Sequence, residues 1–201
     1  VRVVFDVSFS AAGRKIVPRV EVVDNHAVAS TGSVLEVAYR NDGKGRSLAL
    51  ALLDDGSLIC SIGSRSRSLI GGGRFNARRF DLSEEVDTPV SSLGSDGRKS
   101  ILAGLKDGRI LRWRLQKDTR PMLEETIHTS IEGDAVTEMA FLLGDETLIT
   151  GTSLGRVDAW IPVRGHGPSR PVSYRRVHSL DPMPAAVRAI APSARDKQFV
   201  T

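Results

Sequence analysis

Two stretches of this chain can be laid over one another without a gap, and that self-similarity constrains the fold more than any other feature. Ile101-Leu-Ala-Gly104-Leu-Lys-Asp107-Gly108-Arg109-Ile-Leu-Arg-Trp113-Arg-Leu115 matches Leu148-Ile-Thr-Gly151-Thr-Ser-Leu-Gly155-Arg156-Val-Asp-Ala-Trp160-Ile-Pro162. Gly104 pairs with Gly151, Gly108 with Gly155, Arg109 with Arg156 and Trp113 with Trp160, each 47 residues apart. Upstream, Val90-Ser-Ser-Leu93 aligns with Val136-Thr-Glu-Met139 at an offset of 46. A looser copy runs from Val34-Leu-Glu-Val-Ala-Tyr39 through Ser47 to Cys60, with Ser61 where Trp113 would fall, and another begins at Val187-Arg-Ala-Ile190 and reaches Phe199. A unit of about 40 to 50 residues, made of short strands and carrying a late tryptophan, is the pattern of a β-propeller blade.

Each unit reads as strand, short loop, strand, two-residue turn, strand. Asp55-Gly56 and Asp107-Gly108 are expected to form type I′ hairpin turns, because glycine supplies positive φ without a steric penalty. Along Arg109 to Leu115, alternation puts Leu111, Trp113 and Leu115 on one face and Ile110, Arg112 and Arg114 on the other. The expected fold is therefore all-β and β-propeller-like, with WD40-type blades in a single domain spanning 1–201. The repeats fall at about 34–82, 90–131 and 136–180, with an incomplete one at 187–201 and an N-terminal hairpin at 1–23. Residues 63–80 and 164–176, rich in Ser, Gly and Arg, read as connections between blades. Trp113 and Trp160 are expected to pack between neighbouring blades, and Gly104, Gly108, Gly151 and Gly155 to serve structure. Two copies of the chain are expected to pair, because an unfinished repeat and an extra hairpin leave strand edges uncovered.

Composition excludes several classes. With 40% hydrophobic and 26% charged residues and a net charge of +4, the chain has the apolar content of a folded domain. The longest apolar run, Leu48 to Leu53, is far short of the roughly 20 residues of a membrane helix. Cys60 is the only cysteine, so an intramolecular disulfide and a CxxC metal knuckle are both excluded. The chain opens at Val1 with no signal-peptide pattern behind it, and the expectation is a segment of a longer protein.

The chemical motifs have ordinary structural readings. Gly151-Thr-Ser153-Leu-Gly155 has the form G-x-S-x-G, but a strand pattern follows it where a hydrolase elbow needs a helix. Gly43-Lys44-Gly45 and Gly71-Gly72-Gly73 lack the spacing of a phosphate loop. His26, His128, His166 and His178 include no pair at zinc-ligand spacing. The pairs Asp54-Asp55, Glu84-Glu85 and Glu124-Glu125 are read as solvated residues at turns or between strands. No catalytic residue, cofactor or metal is expected. The one candidate binding feature is a basic loop, Arg65, Arg67, Arg74, Arg78 and Arg79, with no acid among them. Arginine forks suit phosphate or carboxylate. Only Phe75 and Phe80 accompany them, too few stacking platforms for nucleic acid.

Ala185 to Phe199, together with Leu148 to Val163, resembles the WD40-like insertion of some large bacterial phosphate ABC-transporter permeases, best over residues 85–201. That resemblance implies a non-catalytic extracytoplasmic accessory domain, periplasmic in a parent anchored in the cell inner membrane. It also implies as partners the rest of the permease, its transporter subunits and a phosphate-binding protein. No transport residue is carried over, because the helices that would hold them are outside this sequence. The Trp-Asp dipeptide of WD40 repeats is replaced here by Trp113-Arg114 and Trp160-Ile161. The alternative is a general WD40-type protein-interaction scaffold in the cytoplasm.

Overall fold

The computed structural model describes residues 2–10, 13–21, 32–41, 46–65, 75–96, 99–116, 119–129, 131–165 and 172–201. A two-stranded hairpin comes first, β1 (Arg2–Ser10) and β2 (Gly13–Glu21), in register from Arg2 opposite Glu21 to Ser10 opposite Gly13. Three four-stranded sheets follow in chain order. The first holds β3 (Val34–Asn41), β4 (Arg46–Leu53), β5 (Leu58–Arg65) and β6 (Phe75–Asp81). The second holds β7 (Val90–Ser95), β8 (Ser100–Leu105), β9 (Arg109–Arg114) and β10 (Met122–His128). The third holds β11 (Val136–Phe141), β12 (Leu148–Thr152), β13 (Val157–Arg164) and β14 (Val172–Ser179). A short pair, β15 (Ala191–Pro192) and β16 (Phe199–Val200), ends the chain, and one turn of 3₁₀ helix covers Ser83–Glu85. The described chain is all-β, and every strand pair is antiparallel.

The turns differ from the two-residue form expected of them. Leu53, Leu105 and Thr152 each accept a hydrogen bond from the glycine three residues on, Gly56, Gly108 and Gly155. Within these turns only the glycines have positive φ, at 85°, 91° and 77°, while Asp55 and Asp107 do not. This is the three-residue hairpin, a turn closed by one left-handed glycine. Aspartate stabilises it through its side chain: Ser57 and Arg109 donate their backbone N–H to Asp55 and Asp107.

The reading of 63–80 and 164–176 as connections is also corrected. β5 continues to Arg65, β6 pairs with it from Arg65 opposite Phe75 to Ile59 opposite Asp81, and β14 pairs with β13 from Val172. These are the outer strands of their sheets. An outer strand needs backbone partners more than an apolar face, so Asn76 to Arg79 and Arg175 to Ser179 are exposed and show no alternating pattern.

Both faces of each inner strand are used, and that sets the order of layers. Leu48, Leu50, Cys60 and Ile62 of the first sheet pack against Leu93, Ile101, Ala103, Leu111 and Trp113 of the second. The opposite face of the second sheet, through Leu102 and Ile110, packs against Met139, Phe141, Leu148 and Trp160 of the third. Leu142, Ile149 and Val157 on the far face of the third sheet are covered by Val187, with Met183, Ile190 and Phe199 beside it. Each tryptophan thus faces the preceding sheet. The first strands run side by side in the order β3, β7, β11, and β15 lies next to β11.

One device recurs where those first strands meet. Each carries a bulge near its start, between Val34 and Glu36, Val90 and Ser92, and Val136 and Glu138. A bulge re-aims a side chain. The hydroxyl of Ser91 reaches the Val136 carbonyl at 2.8 Å and the Gly104 carbonyl at 3.2 Å. Thr137, its counterpart 46 positions on, reaches the Val187 carbonyl at 2.8 Å and the Gly151 carbonyl at 3.2 Å. In the first sheet the bulge position is Leu35, which has no hydroxyl, and Glu36 supplies the tie instead by accepting the Leu93 N–H at 2.9 Å.

Candidate functional site

The strand β9 has the sequence Arg-Ile-Leu-Arg-Trp-Arg, and alternation alone places Arg112 on one face with Ile110 and Arg114. In the structure that face is turned toward the third sheet, and Arg112 is only 3% exposed. A buried guanidinium must have its donors satisfied and its charge matched. Its Nε donates to Glu125 at 2.9 Å, and its Nη1 to Glu124 at 2.8 Å and Ser100 at 3.5 Å. Its Nη2 donates to the Val172 carbonyl at 2.6 Å. The guanidinium carbon stands 5.5 Å from the centre of the Tyr174 ring, within reach of a cation–π contact. Glu125 also accepts the Tyr174 N–H at 2.9 Å, so one ion pair holds β9 and β10 to the outer strand of the next sheet. Glu124-Glu125 is accordingly not a solvated pair at a turn: both residues lie in β10 and are half-buried partners of Arg112.

Arg112 and Tyr174 form part of the wall of a cleft of about 630 Å³ between the second and third sheets. That volume is within the range of about 300–1,000 Å³ usual for ligand sites. Lys99, Arg114, Arg164 and Lys197 bring further positive charge to its lining, and Asp96, Glu124, Asp145 and Glu146 bring negative charge. Ile161, Pro162 and Val172 supply an apolar stretch. Asp96, at the β7–β8 turn, is tied down by the backbone N–H groups of Lys99 and Ser100 at 2.8 and 2.9 Å. Burial, reinforced by the negative charge of Asp96, pushes the Tyr174 hydroxyl up to about 12, so this ring stays neutral at physiological pH.

Three of the five arginines of the basic feature lie on strands. Arg65 is the last residue of β5, and Arg78 and Arg79 lie on β6, both exposed and on opposite faces of that outer strand. Arg67 and Arg74 lie outside the described residues, as do both glycine clusters, His26 and His166. Trp113 is fully buried and donates its indole N–H to Glu85, which also receives Arg120 at 3.1 Å. Trp160 is 5% exposed and donates to Thr150 at 3.0 Å. Gly104 and Gly151 lie on the central strands β8 and β12, and Gly108 and Gly155 close the turns after them. Ser153 of the G-x-S-x-G stretch donates to the buried Asp134 at 2.9 Å and occupies the β12–β13 turn.

Sequence reasoning missed Arg112, Tyr174, Lys99, Arg164 and Lys197. A signal was present for the first of these: Ile110 shares the Arg112 face and is too apolar for a solvated surface, and two consecutive acids wait on the next strand. Nothing in the sequence marks the other four.

Two further carboxylates lie along the first strands. Burial raises Glu36 above the usual range, partly offset by the bond from the Leu93 amide. Burial raises Glu138 as well, and the negative charge of Glu36 adds to it. Cys60 is buried in the layer between the first two sheets, and that burial pushes its thiol up to about 12. Among the described residues no helix is long and apolar enough to cross a membrane, and no three metal-ligating side chains are grouped. Compared with known proteins, the chain matches no family model and no curated protein.

Proposed function

We propose that the three four-stranded sheets are successive WD40-type blades of a β-propeller, and that the chain is a non-catalytic interaction domain. The observation that carries this reading is the duplicated tie from a first strand to the segment beside it, Ser91 of β7 to Val136 of β11 and Thr137 of β11 to Val187, which leads into β15. It is how a unit that cannot bury its own faces is stacked on the next one. The most deeply buried cation among the described residues, Arg112, is committed to holding sheets together, which fits a rigid scaffold presenting its loops and clefts to a partner. The resemblance of residues 148–163 and 185–199 supports a more specific form of the proposal. In that form the chain is the periplasmic insertion of an inner-membrane phosphate ABC-transporter permease, and its partners are the transporter subunits and a phosphate-binding protein.

Topology mapping of the parent protein tests this. Hydrophobic helices on both sides of the segment, and cleavage of the segment by protease added to spheroplasts, are the expected result. A parent without such helices, or a segment protected until the inner membrane is broken, would overturn the permease reading.

A further inference from the structure

We infer that the cleft between the second and third sheets takes an extended, acidic peptide segment of a protein partner, an inference that rests on the interaction-domain reading. The charges divide into committed and uncommitted groups. Glu124 is matched by Arg112 at 2.8 Å and by Arg114 at 3.5 Å. Lys99, Arg164 and Lys197 line the same cleft, are exposed, and form no ion pair among the described residues. Three uncommitted cations around one opening attract carboxylates and steer an acidic partner toward it.

The carboxylates beside them select among anionic ligands. Asp145 and Glu146 also line the cleft. A phosphodiester backbone offers acceptors alone and is repelled by this negative charge, whereas a peptide offers N–H donors to Glu146 and side-chain carboxylates to the cations. The aromatic ring at the site, Tyr174, is only 6% exposed and provides no open platform for a base. Ile161, Pro162 and Val172 give an extended segment an apolar strip to lie along.

The test is fluorescence anisotropy with the 201-residue chain and a fluorescein-labelled, end-capped peptide of alternating Glu and Ser. The same peptide with Gln for Glu and a single-stranded oligothymidylate serve as competing probes. The Glu peptide is expected to bind at least tenfold more tightly than the Gln peptide. The triple variant Lys99→Gln, Arg164→Gln, Lys197→Gln should weaken it roughly tenfold, the combined effect of three partly exposed pairs. Arg175→Gln, Arg188→Gln, Arg195→Gln removes the same charge from exposed positions outside the cleft and should change binding less than twofold. The charge-keeping variant Lys99→Arg, Arg164→Lys, Lys197→Arg should bind as the parent does, which separates lost contacts from a damaged fold. Equal loss in both Gln triples, or tighter binding of the oligothymidylate, would overturn the inference. A purified phosphate-binding protein is measured in parallel. If it binds parent and cleft triple alike, the cleft inference falls and the interaction reading stands. If it fails to bind while the peptide behaves as stated, the cleft inference stands and that partner is lost.

Discussion

Gly104 stands so close to Val136 that a methyl group on its α-carbon would lie 2.8 Å from the valine Cβ, and Gly151 stands to Val187 in the same relation at 2.7 Å. Neither glycine is present for its backbone freedom, since both sit in central strands without positive φ. They are there because the chain that follows their own sheet passes directly over them, at Val136 of β11 and at Val187 ahead of β15.

Gly104→Ala and Gly151→Ala should therefore each destabilise the fold by about 1–3 kcal/mol, the usual cost of overpacking. In urea unfolding, Gly151→Ala combined with Val187→Gly should lose less than the sum of the two single changes, because the second removes the Cβ and both Cγ atoms that the new methyl would meet. Strict additivity would mean that the two residues do not press on one another.

Arg112→Ala leaves Glu124 and Glu125 without their buried countercharge and should cost about 3–5 kcal/mol. Arg112→Lys keeps the charge but loses the planar fork that reaches both acids and the Val172 carbonyl, so most of that loss should remain. Combining Arg112→Met with Glu124→Gln and Glu125→Gln removes the unmatched charge and should recover part of it. A melting temperature for Arg112→Ala within a degree or so of the parent would contradict the pairing.

These two predictions also mark what was legible in the chain. The offset linking Gly104 to Gly151 and Trp113 to Trp160 shows directly in the residues, because close approach and inter-sheet packing demand particular side chains at particular positions. The outer strands β6 and β14 were not legible: their exposed Arg, Asn and Ser residues satisfy a sheet edge and a loop equally well. The burial of Arg112 was hinted at by Ile110 on its face and the acid pair on the next strand, and alternation alone did not reveal it. Alternation separates the two faces of a strand, and it does not say that a third sheet will cover the polar one.

Glu36 and Glu138 make stability depend on pH. Their carboxyls are raised in the folded chain by burial, so the folded state holds protons that the unfolded state has released. The stability they contribute is fully present below the ordinary glutamate value of about 4.5 and is lost as pH rises through their raised values. Glu138→Gln should raise the melting temperature at pH 7 and flatten its decline between about pH 4.5 and pH 7. A variant that melts below the parent at pH 7 would refute the sign.

Cys60 should behave as a reporter of the layer between the first two sheets. Its thiol, pushed up to about 12, carries almost no thiolate at pH 8 and is covered by its neighbours. Reaction with an aromatic disulfide reagent should be slow in the native chain and rise in step with urea unfolding. Rapid modification of the native protein would show that this layer opens far below global unfolding.

The central claim is that the sheets radiate as blades from adjacent first strands, and distances between spin labels test it most directly. In a Cys60→Ala background, one pair of labels is placed on the first strands, at Val37 and Ala140. The other is placed on the outer strands, at Arg79 and Arg175. Blades fan outward, so the account predicts that the outer pair is clearly farther apart than the inner pair, with a single narrow distribution for each. Equal separations would mean a flat stack of parallel layers, and the propeller account would be contradicted.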